Sequence, residues 1–230
     1  MKVFAISDLH LSLSGEKSMD IFGKRWAGHF DKISADWKEK VGPEDAVLIA
    51  GDISWGMKQE EAADDLAALC ALPGKKVLIK GNHDFWHGSL KRTRDMLTNE
   101  TYFVQNDSVR IGDYTFVGTR GWPHPGDDDY SPQDEKIYAR EQERLRLSLD
   151  HARRIGGKIV GLIHYPPFTG ERKGTPFTRL FEEYGVEKVV FGHIHGEYTK
   201  NYPQGPLRLG EVDYYLTSCD HLDFKLKQIL

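Results

Sequence analysis

The sequence predicts an α/β fold built on a largely parallel sheet, and two features predict it. Short β-branched runs alternate with stretches of helical periodicity, which is the pattern of βαβ units. Those runs are also followed at once by Asp, Asn or His, at the strand ends where open α/β sheets gather their ligands. The 230 residues suit one domain of this class. No repeat, low-complexity tract or linker interrupts them, so residues 1–230 are expected to form a single domain.

Val3–Ser7, Ala46–Ala50 and Lys76–Lys80 read as the first strands, with helices over Asp31–Val41 and Lys58–Leu72 between them. The second helix carries Ala62, Leu66, Leu69 and Leu72 on one stripe and stops at Pro73-Gly74; Gly42-Pro43 closes the first. From Thr101 to Val117 the Tyr, Phe, Val and Ile runs are broken by Gly112-Asp113. This texture predicts a strand followed by a hairpin, and hence a second sheet or an antiparallel addition to the first. Pro132–Arg154 is the longest predicted helix, with Tyr138, Leu145, Leu149 and Ala152 on its apolar stripe. Lys158–Ile163 and Lys188–Phe191 resume the strand pattern, and Asp213–Thr217 and Phe224–Ile229 are expected to close it.

Composition narrows the class of partner. With 39% hydrophobic residues the chain can bury a core, and Lys+Arg 31 against Asp+Glu 35 gives a net charge of −4. A mildly acidic surface does not favour duplex nucleic acid or an anionic membrane. The apolar runs fall far short of the roughly 20 residues that span a bilayer. Cys70 and Cys219 are too few to staple the fold and read as reduced thiols, so a cytoplasmic location is expected.

The chemistry follows the strands. Asp8-Leu9-His10, Gly51-Asp52, Gly81-Asn82-His83-Asp84, His164 and Gly192-His193-Ile194-His195 each stand directly after a predicted strand. Any one alone could be a turn or a cap; their joint order places them on one rim. The carboxylates Asp8 and Asp52, the amide of Asn82 and the imidazoles of His10, His164, His193 and His195 are too many for one metal ion and enough for two. Paired ions roughly 3.5–4 Å apart serve in-line displacement at phosphorus. They would leave a local charge of about +2, which attracts a phosphate ester without a basic surface.

The series D-x-H, G-D, G-N-H-D, H, G-H-x-H resembles the calcineurin-like metallophosphoesterase superfamily from Asp8 to His195, and within it the compact bacterial-type phosphohydrolases and phosphodiesterases. That resemblance implies a four-layer α/β/β/α sandwich, two mixed sheets flanked by helices, with a dinuclear metal site at the strand C-terminal ends. It implies that Asp8, His10, Asp52 and His195 bind one ion and that Asp52, Asn82, His164 and His193 bind the other. The ions would be divalent or mixed-valence transition metals, manganese or iron first and zinc next. The implied reaction is hydrolysis of a small phosphodiester or phosphomonoester, in which a metal-bridging hydroxide attacks phosphorus in line and His83 assists the leaving group.

Departures from the pattern matter too. Protein phosphatases of the superfamily carry an Asp where Trp55 stands, an Arg soon after it, and a Glu where Asp84 stands. A protein phosphatase is therefore disfavoured, and what orients His83 is left open. A nuclease acting on short single strands is an alternative. A non-catalytic metal-binding scaffold is another, although it would not need His83 beside every metal position. The irregular segment Gly118–Tyr130 is expected to cover the metal rim, with Arg120 or His124 meeting the phosphate or leaving group and Trp122 offering a flat face. Trp26 to Phe30 is a second candidate wall.

Overall fold

In the computed structural model, which describes residues 1–14 and 19–230, the strands and α-helices follow in chain order. They are β1 (Val3–Ala5), α1 (His29–Lys40), β2 (Ala46–Ile49), α2 (Gln59–Cys70), β3 (Lys75–Leu78), α3 (Leu90–Asp95), β4 (Thr101–Phe103), β5 (Ser108–Ile111) and β6 (Tyr114–Thr119). The second half holds α4 (Glu135–Ile155), β7 (Lys158–Ile163), α5 (Pro176–Glu183), β8 (Lys188–Phe191), β9 (Leu207–Leu209), β10 (Val212–Leu216) and β11 (Lys227–Gln228). One sheet has the order β11-β1-β2-β3-β4 and the other β5-β6-β7-β8-β10-β9. Both are mixed. The inner strands pair in parallel, while β11, β5 and β9 join antiparallel at edges.

Alternation along the strands creates the layers. Phe4, Val47, Ile49 and Leu78 point outward and pack with Ile33, Trp37, Leu66 and Leu69 of α1 and α2. Val117, Ile163, Val189 and Phe191 do the same against Leu145, Leu149, Phe177 and Phe181 of α4 and α5. The remaining strand positions, including Val3, Ala5, Leu48 and Val77 on one side and Phe116, Val160, Leu162 and Val190 on the other, form the core between the sheets. Because both faces of each sheet are covered, the strands read as continuous hydrophobic runs. The four layers expected from the resemblance are the layers observed.

The hairpin expected at Gly112-Asp113 forms, with Gly112 in the left-handed region (φ 58). It opens the second sheet, while β4 stays with the first. Closing strand Phe224–Ile229 is corrected to the two residues of β11. Asp223 and Phe224 adopt left-handed conformations (φ 52 and 58), so the chain turns there before it can pair. Helices α3 and α5 were not anticipated. Among the described residues no helix is long and apolar enough to cross a membrane.

Beyond Ala5 the chain of β1 stays bonded to the β2 segment, Ile6 N donating to Leu48 O at 3.1 Å, and also ties the two sheets together. Ser7 N donates to Thr217 O at 2.7 Å and Cys219 N donates to Ser7 O at 2.9 Å. The Ser7 hydroxyl also lies 2.8 Å from the Thr217 hydroxyl and accepts from Ala50 N at 2.8 Å. This stitch joins the sheets at the C-terminal ends of their parallel strands, where the site lies.

Candidate metal centre and active site

Short loops after β1, β2, β3, β7 and β8 bring the predicted ligands together, and their backbones are unusual. Asp8, His10, Asp52 and His193 all have left-handed φ values, of 59, 45, 52 and 72. Such conformations cost of order 1 kcal/mol or more each and persist only where the surroundings hold them. Two glycines show how tight the fit is. A Cβ on Gly81 would stand 2.1 Å from Asp52 Oδ1, and one on Gly192 would stand 2.3 Å from Asp8 Oδ2. Only glycine lets these strand ends approach the carboxylates, which is the physical reason for its place in G-N-H-D and in G-H-x-H.

Asp84 locks the loops after β2 and β3 to each other. Its fully buried carboxylate accepts from Asp52 N (2.9 Å), Ile53 N (2.8 Å), Ser54 N (3.3 Å), Gly81 N (2.8 Å) and Trp86 Nε1 (2.9 Å). The fourth residue of the motif is thus a clamp on the backbone that carries Asp52, Asn82 and His83.

Asp52 stands between two sets of donor atoms. Asp52 Oδ2 lies 3.7 Å from His10 Nε2 and 3.5 Å from His164 Nε2. His195 Nε2 lies 3.4 Å from Asp8 Oδ1 and 3.4 Å from His10 Nε2. On the other side Asn82 Oδ1 is 2.6 Å from His164 Nε2 and 3.0 Å from His193 Nδ1. Ligand atoms of Asp8, His10 and His195 all fall within 4.8 Å of one another, as do those of Asp8, Asp52 and His164.

Hydrogen bonds behind the rings aim them. His164 Nδ1 donates to Ala50 O at 2.8 Å, which leaves its Nε2 lone pair facing Asp52 and Asn82. His195 Nδ1 is 2.9 Å from Asp220 Oδ1, and Gly196 N donates to Asp220 Oδ2 at 2.8 Å. Asp220 was missed from the sequence, although it follows the predicted strand Asp213–Thr217 just as the other site residues follow theirs.

This donor set fits divalent cations. Asp8 and Asp52 are fully buried or nearly so, and among the described residues neither is paired with Lys or Arg. Burial and the neighbouring carboxylates Asp84 and Asp8 push the Asp52 carboxyl well up. Burial would raise Asp8 as well, but the imidazoles of His195, His164 and His10 outweigh it and hold that carboxyl low. Burial likewise opposes charge on His195, yet Asp8 and Asp220 push its imidazole up to about 10. The space beside Nε2 of His195 therefore attracts positive charge. Nitrogen and oxygen donors without thiolate suit Mn, Fe, Zn, Co or Ni.

His83 stands at the edge of this cluster. Its backbone N–H donates to Asp52 Oδ1 at 2.8 Å, and its ring packs 4.7 Å from Trp55 and 6.2 Å from Phe85. Trp55 also stacks on His10 at 4.7 Å. An indole wedged between a predicted ligand and His83 thus replaces the carboxylate of the protein phosphatases, and packing sets the ring.

Arg120 and His124 have partners of their own away from the metal ligands. Arg120 lies against Glu141 of α4 at 3.3 Å, with its guanidinium 4.3 Å from the Trp122 ring. His124 is buried, with Nδ1 3.0 Å from Tyr138 Oη and Nε2 2.9 Å from Pro166 O. Their partners on α4 and after β7 hold the loop in place, and Trp122 and His124 line a side cavity of about 220 Å³ with His193 and Tyr165. The larger cavity, about 1070 Å³, opens over His10, His83, His193 and His195. Trp26 is part of its wall, as expected, and Phe22, Tyr198 and Tyr202 join it.

Comparison with known proteins gives the same picture. The family model described as calcineurin-like phosphoesterase matches residues 1–197. The "Gene 66 protein" of Mycobacterium phage D29 is 41% identical over 87 residues, 37% of this chain and 41% of that one, so the match spans less than half of the phage protein. A probable cyclic nucleotide phosphodiesterase of Coxiella burnetii is 26% identical over 220 residues, covering 89% of this chain and 79% of the relative. Among solved structures, a protein of unknown function from Aquifex aeolicus superposes with a TM-score of 0.52 over 99% of this chain and 95% of its own, at 17% identity, a likeness of fold.

Proposed function

The chain belongs to the calcineurin-like phosphoesterase family, and from that membership we propose that it is a metal-dependent hydrolase of a small phosphodiester. The observation that carries the reading is the position of Asp52, whose Oδ2 stands between His10 Nε2 and His164 Nε2, with His195 beside the first and Asn82 Oδ1 beside the second. Asp8, His10, Asp52 and His195 would hold one ion, and Asp52, Asn82, His164 and His193 the other. We propose manganese or iron, with zinc acceptable to the same donors. Such ions, when bound, polarise phosphoryl oxygens and make water more acidic.

The chain's own residues supply the rest. Asp52 is held in place by the His83 N–H and, through its backbone, by Asp84. Burial lowers the His83 imidazole, so at neutral pH the ring keeps one N–H to donate to the leaving oxygen. The activity named for the Coxiella relative makes a diester the first substrate to test. Strands β9, β10 and β11 lie beyond residue 197 and complete both sheets, which supports reading residues 1–230 as one domain. Both cysteines are buried free thiols, as a reducing cytoplasm would keep them.

The test is a chromogenic monoester and diester panel on chelator-stripped protein, with Mn, Fe or Zn restored singly. Stripping should abolish turnover and Mn or Fe should restore it, with the diester the faster substrate. In the same assay His83→Ala, which removes the N–H donor, should lower kcat by roughly a hundredfold while bound metal stays constant. Absence of turnover on both esters with every metal would remove the hydrolase reading.

A further inference from the structure

Two cavities meet beside the metal cluster, with His193 and Tyr202 on the border of both. A phosphodiester has two substituents, so a phosphate at the cluster can direct one into each. The side cavity, at about 220 Å³, is smaller than the roughly 300–1,000 Å³ typical of sites that enclose a whole small molecule, so it suits one group of a larger ligand. Its walls are rings. Trp122 and Tyr165 stand with ring centres 5.7 Å apart, Tyr165 lies 4.1 Å from His193, and Phe168 and Tyr202 form a further pair at 6.4 Å.

The charge beside these rings is negative. Among the described residues Asp127 and Asp129 line the cavity and no Lys or Arg does. Asp127 is held in place, its Oδ2 accepting from His124 N at 2.7 Å and its own N–H donating to His124 O at 3.0 Å. Burial keeps the His124 imidazole neutral. The neighbouring cations are engaged elsewhere: Arg120 pairs with Glu141 at 3.3 Å, and Arg172 donates to Asn201 O at 2.6 Å. Ring faces are themselves electron-rich, and Trp122 already carries the Arg120 guanidinium 4.3 Å from its centre. Aromatic faces together with carboxylates attract a weakly hydrated organic cation. A second phosphate would be repelled by Asp127 and Asp129, and a neutral alkyl group would leave their charge unmatched.

We propose that the side cavity binds an organic ammonium group, carried by one ester substituent of the substrate while the phosphate lies at the metal cluster. The inference rests on the phosphoesterase reading and names the charge of one substituent of its substrate.

The experiment compares two diesters of one shape and one leaving group: 4-nitrophenyl phosphorylcholine, and 3,3-dimethylbutyl 4-nitrophenyl phosphate, in which carbon replaces the charged nitrogen. On metal-loaded protein the choline ester should have a kcat/KM roughly tenfold higher. Asp127→Asn combined with Asp129→Asn keeps the shape of the cavity and removes its charge. That double variant should bring the ratio of the two esters to within about threefold and leave the neutral ester within about twofold of its original rate. Asp129→Asn alone, at an exposed position, should lower the ratio by about threefold. Equal rates for the two esters, or a ratio that neither variant changes, would overturn the proposal.

Binding is read separately by calorimetry, titrating metal-loaded protein with tetramethylammonium chloride and with sodium chloride. Saturable heat from the ammonium salt alone, weakened in the double variant, would sustain the subsite even if no ester were hydrolysed. No saturable binding, or binding that the double variant retains in full, would sink it even if hydrolysis were robust.

Discussion

The two sheets secure their shares of the site by different means. On the first sheet, Asp84 gathers five donors from two neighbouring loops and so fixes Asp52, Asn82 and His83 as one unit. On the second, each imidazole is aimed by a partner from elsewhere: His164 by Ala50 O, His195 by Asp220, and His193 by its backbone N–H on Asp8 Oδ1 at 2.9 Å and by Asn82 Oδ1. The first half is rigid because its backbone is tied locally. His164 and His193 take their partners from the first sheet and are correct only while the sheets stay in register, which is what the Ser7–Thr217 stitch secures. The proposed metal bridge, Asp52, and the proposed leaving-group partner, His83, lie on the locally tied half, and the imidazoles of His164, His193 and His195 lie on the other.

Breaking the clamp should have the largest effect. Asp84→Ala leaves buried N–H groups without an acceptor, each costing about 1–3 kcal/mol. With water relieving some of them, the loss should still exceed about 3 kcal/mol in urea unfolding, and activity should fall with it. A loss below about 1 kcal/mol would mean that the first half does not depend on its clamp.

On the second half the expected loss is in metal binding rather than in folding. Asp220 accepts from both His195 Nδ1 and Gly196 N, which an amide cannot do at both oxygen positions. Asp220→Asn should weaken metal affinity by roughly 10–100-fold, measured by competition with a chromophoric chelator. Its stability cost should be only about 1 kcal/mol. Unchanged affinity would show that His195 needs no outer partner.

This contrast also explains what was legible in the sequence. The ligands could be read because each follows a β-branched run directly, and the strand ends bring them to one rim. Asp220 obeys the same rule and was overlooked after Thr217. Helix α5 announces itself through Thr175-Pro176, where Thr175 caps and Pro176 begins the helix. The role of Asp84 could not be read, because most of its donors sit some thirty residues upstream on another loop. The pairing of Arg120 with Glu141 could not be read either, because Glu141 lies on the buried face of α4, one turn before Leu145. Phe22 and Tyr198 stand on 3-10 turns, which leave no periodic trace in the sequence.

A smaller effect can show which half yields first to acid. His87 flanks the clamp, its backbone N–H donating to Asp84 O at 3.3 Å and its ring 5.0 Å from Phe103. Burial, aided by the charge of Lys80, pushes its imidazole down to about 4. Unfolded, the same ring takes up its proton near the ordinary value of 6.5. The unfolded chain therefore binds that proton first, and the stability His87 supports is complete above pH 6.5 and drains away as the pH falls towards 4. His87→Gln, which cannot protonate, should move the acid-unfolding midpoint down by a few tenths of a pH unit, read by circular dichroism. On the second sheet's side His124 is also pushed down by burial, though Pro166 O and Tyr138 Oη hold both its nitrogens. If the His87→Gln curve overlies that of the unaltered chain while His124→Gln shifts it, acid lability belongs to the half whose geometry is borrowed across the sheets.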